Sequence, residues 1–312
     1  PPVFLCCPKG HSMRVLSTLR YIEIISQEGS IRRAADRLAI TSTALNRRVL
    51  ALEEELGYPL FERLPSGVRL NTAGEIFVDF VRRQFSDFER VKSQISDLAG
   101  FRRGHVSIGC PPEVMEEFLP EQIALYRQNH PGVLFNVMRQ YGTEAEDALN
   151  QLEIDIAMTF EPVTSPHFKV LATALQRVLV VVADDHPLAD REVIRMRELV
   201  GWKMIIPSMK TGLRRLLQSS LLAHPLPLDI IAETDSFGFI RHYLINEEAI
   251  SFTIPVSGSL GQRLKTIPID RRDLRDGVLH IGQLKDRVLP VASAKFLNDL
   301  MVALERQFPD PQ

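Results

Sequence analysis

Two groups of side chains in this 312-residue chain have the types and spacing to recognise something. The first lies between residues 30 and 60. Ser42, Thr43, Asn46 and Arg47, followed by Arg48, fall on one side of a run whose apolar residues Ala44, Leu45, Val49 and Leu52 recur at helical spacing. Short hydroxyl and amide side chains near the start of a helix suit hydrogen bonds to base edges. Arginines just behind them suit phosphate. Arg63 and Arg69 then flank a Pro65-Ser66-Gly67 turn, and two short arginine-bearing strands beside such a helix form a DNA-backbone contact. The second group occupies turns that follow apolar strands: Cys110, Pro112 and Glu113; Thr159 and Phe160; Ser208, Lys210 and Thr211; Ser236; and Thr253. In doubly wound sheets ligands sit outside the carboxyl ends of strands, where helix N-termini point.

The chemistry of the second group is mixed. Hydroxyls, amide N–H groups and Lys210 in the 208–211 turn favour a carboxylate or another anion. For any single hydroxyl, a plain helix N-cap is the simpler role. Convergence of the set on one cleft is what points to a ligand. Glu113 suits a cationic or hydroxyl-bearing ligand, or else steadies a helix N-terminus through its dipole. Glu113 and Lys210 together would suit a molecule with both an amine and a carboxylate. Cys110 at a helix N-terminus is placed for a lowered pKa, but a disulfide sensor needs a second thiol and this region has none.

The elements that must position the first group are legible. Leu16, Leu19, Ile22 and Ile25 predict a helix ahead of Ser30, which stands as the N-cap of a second helix with Ala34, Ala35 and Leu38 on its apolar face. Ala39-Ile40-Thr41 is the turn, and the third helix runs from Thr41 or Ser42 to about Leu56, closed by Gly57. Ser30, Arg32, Arg33 and Thr41 join Ser42, Thr43, Asn46, Arg47, Arg48, Arg63 and Arg69 as candidate DNA contacts. An ordinary helical hairpin with a solvated face explains the helices alone; the arginine-bearing wing favours a reading head. Thr72 and Glu75 read as a capping box opening a helix to about Ala99. Its apolar positions, Phe77, Val81, Phe85, Phe88, Val91, Ile95 and Leu98, average close to the heptad spacing of about 3.5. Such a seam cannot bury itself, so it implies a partner helix, most simply that of a second chain. The alternative is packing on its own C-terminal region.

The order and spacing of Ser30, Ala34-Ala35, Leu38, Leu52-Glu53, Leu56-Gly57, Leu60-Phe61-Glu62-Arg63, Leu70 and Thr72-Ala73-Gly74 resemble the LysR-type transcriptional regulators across residues 19–74, and the chain has that family's length and layout. Asn46 stands where that family most often has serine, Asn71 at a variable wing position, and Glu113 where a serine or threonine usually meets the effector. The resemblance implies an N-terminal all-α winged helix-turn-helix with a long linker and dimerisation helix. It also implies a C-terminal α/β effector domain of two Rossmann-like subdomains, of the type 2 periplasmic-binding-protein-like kind, with a small molecule in the cleft. Expected boundaries are 1–12 (disordered extension), 13–72 (DNA-binding head), 73–99 (linker helix), 104–175 with 283–312 (subdomain I) and 176–282 (subdomain II). Within the second half, a strand at 105–109, a helix at 113–129, a strand at 133–139, a helix at 143–151 and a strand at 155–160 argue for a mostly parallel sheet. A second such unit follows, and the helix at 290–307 returns to the first.

Composition agrees. The chain is 45% hydrophobic and 24% charged with net charge −2, ordinary for a soluble globular protein. Residues 13–71 carry 9 Arg against 7 Asp or Glu, a modest local excess. No apolar run is long enough to span a bilayer. Cys6, Cys7 and Cys110 make no disulfide scaffold, so a reducing cytoplasm is expected. Residues 1–12 have no secretory pattern, and Met13 is the expected natural start, with a thiol-based metal or redox tag as the alternative. His105, His130, His167, His186, His224, His242 and His280 are scattered, and no HExxH, CxxC, GxSxG, P-loop or GxGxxG occurs, so neither enzyme nor nucleotide cofactor nor metal is expected. The expected function is a sequence-specific DNA-binding transcription regulator tuned by a small-molecule effector, a carboxylate or amino-acid-like compound, acting as a homodimer or homotetramer. The alternatives are a solute-binding protein or a two-lobed α/β enzyme with an appended regulatory domain.

Overall fold

Ile22, Ile25, Ala34, Ala35, Leu45, Val49, Leu60 and Val78 are buried against one another, and four helices and a hairpin bring them together. They belong to the first of two compact units, Pro1–Glu89 and Arg90–Gln312, in a computed structural model. It describes residues 12–98, 103–161, 163–223, 225–257, 261 and 263–309. Of the expected extension at 1–12, all but Ser12 lies outside the described residues.

The first unit begins with α1 (Ser12–Glu28), α2 (Ile31–Arg37) and α3 (Ser42–Leu56). Ser30 Oγ accepts from Arg33 N at 3.4 Å and caps α2, and Thr41 Oγ1 accepts from Ala44 N at 3.2 Å and caps α3. Gly57 ends α3 at φ +75. Ala39, between α2 and α3, takes φ +52, a left-handed conformation usually given to glycine. The wing strands β1 (Phe61–Leu64) and β2 (Gly67–Leu70) pair antiparallel, so the turn is Pro65-Ser66 and Gly67 already belongs to the strand. A Cβ on Gly67 would lie 2.2 Å from the Gly29 carbonyl oxygen, so the wing is pressed onto the α1–α2 corner.

The long helix α4 (Thr72–Leu98) follows. The expected Thr72 capping box is absent. Asn71 is the cap: its Oδ1 accepts from Gly74 N at 2.8 Å, while its Nδ2 donates to the Pro59 carbonyl at 2.8 Å. An amide both accepts and donates, so one side chain ties the helix start to the chain entering the wing, which a threonine hydroxyl cannot span. Glu53 has a related task. Its Oε1 accepts from Leu60 N at 2.7 Å and Phe61 N at 3.2 Å. Val78 and Val81 of α4 are buried, whereas Phe88, Val91 and Ile95 are exposed.

The second unit holds β3 (Arg103–Cys110), α5 (Pro112–Met115), α6 (Phe118–Asn129), β4 (Gly132–Arg139), α7 (Gly142–Asn150) and β5 (Ile156–Phe160). The one helix expected over 113–129 is two. Pro120 has no N–H and its ring would strike the carbonyl four residues back in a continuous helix, so α6 restarts with Pro120 in its first turn. Next come β6 (Phe168–Gln176), β7 (Leu179–Ala183), a 3-10 turn (Met196–Leu199) and β8 (Lys203–Pro207). Then α8 (Gly212–Ala223), β9 (Asp229–Thr234), α9 (Phe237–Asn246) and β10 (Ser251–Thr253) follow. Last are β11 (Leu264–Pro268), β12 (Gly277–Leu284) and α10 (Val291–Gln307).

One sheet has the order β4-β3-β5-β12-β6, parallel through β5 and antiparallel beyond it. The other subdomain pairs β10-β7-β11 antiparallel and β8-β9 parallel, bridged at Met204 and Ile250. The sheets are therefore mixed rather than mostly parallel. The antiparallel strands β6 and β12 are those by which the chain leaves the first subdomain and returns. β6 was not expected, and β12 rejoins the first sheet from Gly277, so the return precedes 277 rather than 283. Buried Asp155 pins that return: it accepts from Arg287 Nη2 at 2.6 Å, from Ser293 Oγ at 2.8 Å and from Ser107 N at 3.2 Å.

Glu53→Ala leaves two backbone donors at the wing start without their acceptor, at a cost of about 2 kcal/mol. Hydrogen exchange of the full chain checks it: amides of Leu60 and Phe61 exchange roughly 30-fold faster. Unchanged exchange there would mean that Glu53 is not their cap.

Candidate nucleic-acid interface and ligand cleft

α3 exposes Ser42, Thr43 and Arg47 at its start and holds Asn46 half-buried. Arg47 and Arg32 are exposed cations with no ion-pair partner among the described residues. Ser30 and Thr41 use their hydroxyl oxygens as caps, which leaves each O–H to donate elsewhere. Arg33 donates to the Glu28 carbonyl. Arg48 turns back onto α1, where its Nη1 donates to the Tyr21 hydroxyl at 2.5 Å and its guanidinium lies 5.0 Å from that ring's centre. Arg69 pairs with Glu62, its partner across the wing, at 2.7 Å. Arg63 Nη2 donates to Asn46 Oδ1 at 2.9 Å. A guanidinium has no acceptor, so the atom facing it is the amide oxygen, and the Asn46 NH2 group is left for another acceptor.

In the second unit three parallel strands end side by side, and each end carries a buried oxygen without a partner. These are Gln140 Oε1 after β4, both carboxylate oxygens of Glu113 after β3, and Thr159 Oγ1 in β5. Glu113 and Thr159 are each 1% exposed. His280, directly across from Thr159 on β12, has an unpartnered Nδ1. The other subdomain brings Arg215 on α8. Its Nη1 donates to the Lys210 carbonyl at 2.9 Å and its Nη2 to the Glu161 carbonyl at 2.8 Å, while its Nε is buried without a partner. Polar contacts latch the two subdomains around these groups. The Tyr141 hydroxyl donates to Asp235 at 2.9 Å, and Glu116 pairs with Arg241 at 2.7 Å. The backbones also approach closely, because a Cβ on Gly212 would fall 1.7 Å from the Phe160 carbonyl oxygen.

Burial pushes the Glu113 carboxyl up to about 7; a backbone amide and Arg215 pull it down and Glu116 adds to the rise. Burial, then Glu113, pushes the Cys110 thiol up to about 12, and burial lowers His280. The lowered thiol pKa expected for Cys110 is thus reversed: it lies in the apolar core, where a thiolate has no stabilising charge.

Of the cleft residues expected from sequence, Glu113 and Thr159 lie at the ends of the neighbouring strands β3 and β5. Phe160 is core, and Pro112 is the buried first residue of α5. Thr211 Oγ1 accepts from Arg214 N at 3.1 Å and Ser236 Oγ from Phe239 N at 3.2 Å, so both act as plain caps. Ser208 is half-buried, its Oγ accepting from Lys210 N at 3.5 Å; Lys210 is exposed and Thr253 is buried in β10. Gln140, Tyr141, Arg215, Asp235 and His280 went unnoticed. Arg215 lies one turn beyond the Thr211 cap and was findable on helical spacing; His280 needs the strand register. Among the described residues no His, Cys, Asp or Glu group could hold a metal ion, and no helix is long and apolar enough to cross a membrane.

Comparison with known proteins bears on both units. Residues 16–75 match the model of the bacterial regulatory helix-turn-helix protein, lysR family, and residues 99–304 match the LysR substrate binding domain. The uncharacterized HTH-type transcriptional regulator YbhD of Escherichia coli (strain K12) is 28% identical over 288 residues, covering 90% of this chain and 89% of its own. A full-length OxyR variant from Pseudomonas aeruginosa superposes with a TM-score of 0.68 at 19% identity, over 95% of this chain and 98% of that one. Full-length CbnR in complex with its target DNA superposes with a TM-score of 0.61 at 16% identity, over 94% and 99%.

Glu113 makes stability pH-dependent. Its folded pKa exceeds the unfolded value, so its contribution is fully present below pH 4.5 and is lost as pH rises through about 7. Glu113→Gln, which cannot ionise, should be more stable than the parent at pH 8 by up to roughly 3 kcal/mol and similar to it at pH 4. Thermal unfolding at the two pH values measures this; an equal shift at both refutes the buried, ionisable carboxyl.

Proposed function

Because the chain belongs to the LysR family of bacterial helix-turn-helix regulators, we propose that its first unit reads operator DNA and that a small molecule held between the subdomains of its second unit adjusts that reading. The observation that carries this is the start of α3. There hydroxyls, an amide and an unpaired arginine stand together on a helix whose other side is buried, with an arginine-bearing wing behind it.

Roles divide by chemistry. Ser42, Thr43, Asn46 and Arg47 reach base edges, while Arg32 and Arg63 are within the reach of phosphates. Arg48 and Arg69 already hold partners, so they shape the head more than they grip DNA. Asn46 reads through its NH2 group, because its oxygen is engaged by Arg63. Bidentate recognition of adenine needs both amide atoms, so this geometry favours an acceptor edge, guanine or thymine, instead. The exposed Phe88, Val91 and Ile95 of α4 are the seam for a second copy, which would place two reading heads on two half-sites. The subdomain boundaries, a cytoplasmic setting and a role without catalysis are part of the same proposal.

In the second unit the Tyr141–Asp235 and Glu116–Arg241 bonds join the cleft walls. A ligand that binds one arrangement of the walls more tightly than another shifts the population toward it.

Two measurements test the reading head. With a duplex selected by the wild-type protein from a random-sequence library, Arg47→Ala should weaken binding about 10- to 100-fold with unchanged circular dichroism; full affinity would remove α3 from the interface. Repeating the selection with Arg63→Ala should change the preferred base at one position per half-site toward adenine. A uniform loss of affinity with unchanged preference would show that Arg63 acts on phosphate alone.

A further inference from the structure

Among the described residues of the second unit three acids are exposed over a tenth of their surface or less: Glu113, Glu146 and Asp155. Asp155 is held by Arg287, Ser293 and the Ser107 amide, and Glu146 accepts from the Thr164 amide and hydroxyl, each at 2.9 Å. Glu113 has no side-chain donor on either oxygen. A carboxylate kept for structure acquires donors as the other two have, since leaving it bare is costly. Gln140 Oε1 and Thr159 Oγ1 are likewise unpartnered, at the ends of the strands on either side. The two oxygens of Glu113 fit a group with several N–H donors and a positive charge. Across the cleft the need is opposite, since the buried Nε of Arg215 lacks an acceptor.

Resting on the cleft proposed above, we infer that its ligand is a zwitterion of the amino-acid class, with its ammonium on the Glu113 carboxylate and its carboxylate on Arg215. The groups that face Glu113 are consistent with one cation entering. Cys110 on β3 and Tyr141 ahead of α7 are neutral, Glu116 and Glu117 are acids, and the one cation that acts on Glu113, Arg215, spends Nη1 and Nη2 on two carbonyls. The residues 255–257 that pack on α5 carry no titratable side chain. Without ligand the buried carboxyl is largely protonated below pH 7. An ammonium binds the ionised form, so binding releases a proton and affinity should fall about tenfold per pH unit below 7.

The full-length protein is tested by thermal unfolding with each protein L-α-amino acid. The controls are the matching α-hydroxy acids and the amines that lack the carboxylate. Binders are then titrated calorimetrically at pH 6 and pH 8. The expected result is an amino acid that binds more tightly at pH 8, whose hydroxy-acid analogue binds at least tenfold more weakly, and whose pH dependence disappears in Glu113→Gln. Glu113→Asp, which keeps the charge, should retain part of the affinity and controls for folding. Binding by an amine-free acid or a polyol that Glu113→Gln leaves intact overturns the inference; so does stabilisation by no amino acid at all. If such a binder still weakens in Arg215→Ala, the cleft survives and only the ammonium is lost. If neither variant affects it, the cleft itself is wrong.

Discussion

A carboxylate taken out of water must find donors, and three carboxylates decide how this chain is built. Glu53 gathers the amides of Leu60 and Phe61 and so fixes where the wing leaves α3. Asp155 gathers Arg287, Ser293 and Ser107 and so fixes the returning helix α10 on the sheet that begins the second unit. Glu113, more deeply buried than either, gathers no side-chain donor. The first two are satisfied by the fold, and the third is the one on which the proposed ligand contact rests.

The same contrast runs through the arginines. Arg48 lies on Tyr21, Arg69 on Glu62 and Arg63 on Asn46, whereas Arg47 stands free at the start of α3. Charge counting treats them alike. Their partners separate those that hold the head in shape from those, Arg47 and Arg32, left free of an ion pair among the described residues. The Arg63–Asn46 bond also couples the wing to the reading helix, so a residue placed for backbone contact governs how a base reader presents its amide.

Two strands carry the chain between the subdomains, β6 outward and β12 back, and they are neighbours in one sheet. Paired crossings side by side let two lobes rotate about one line. The lobes also share an apolar core and meet where Gly212 approaches the Phe160 carbonyl, and polar bonds such as Tyr141–Asp235, which can exchange for bonds to a ligand or water, join them further.

Local chemistry in the sequence was enough for the reading head: the caps at Ser30 and Thr41, the Gly57 stop and the apolar periods of α2 and α3 all act over a few residues, and the helix-turn-helix, the hairpin and the βα alternation followed from them. It was also enough to place Glu113 and Thr159 at strand ends. Long-range geometry decided the rest. The choice of Asn71 over Thr72 as cap depends on Pro59, which the wing brings near. The partner of Arg48 lies 27 residues away. The strand β6 has only a weak alternation and forms because β12 supplies its hydrogen bonds. That burial raises the Cys110 thiol pKa and leaves the Glu113 oxygens without a side-chain donor is a property that no short window of sequence records. Spacing along a chain reports which side chains share a face; only packing reports which of them have already found a partner.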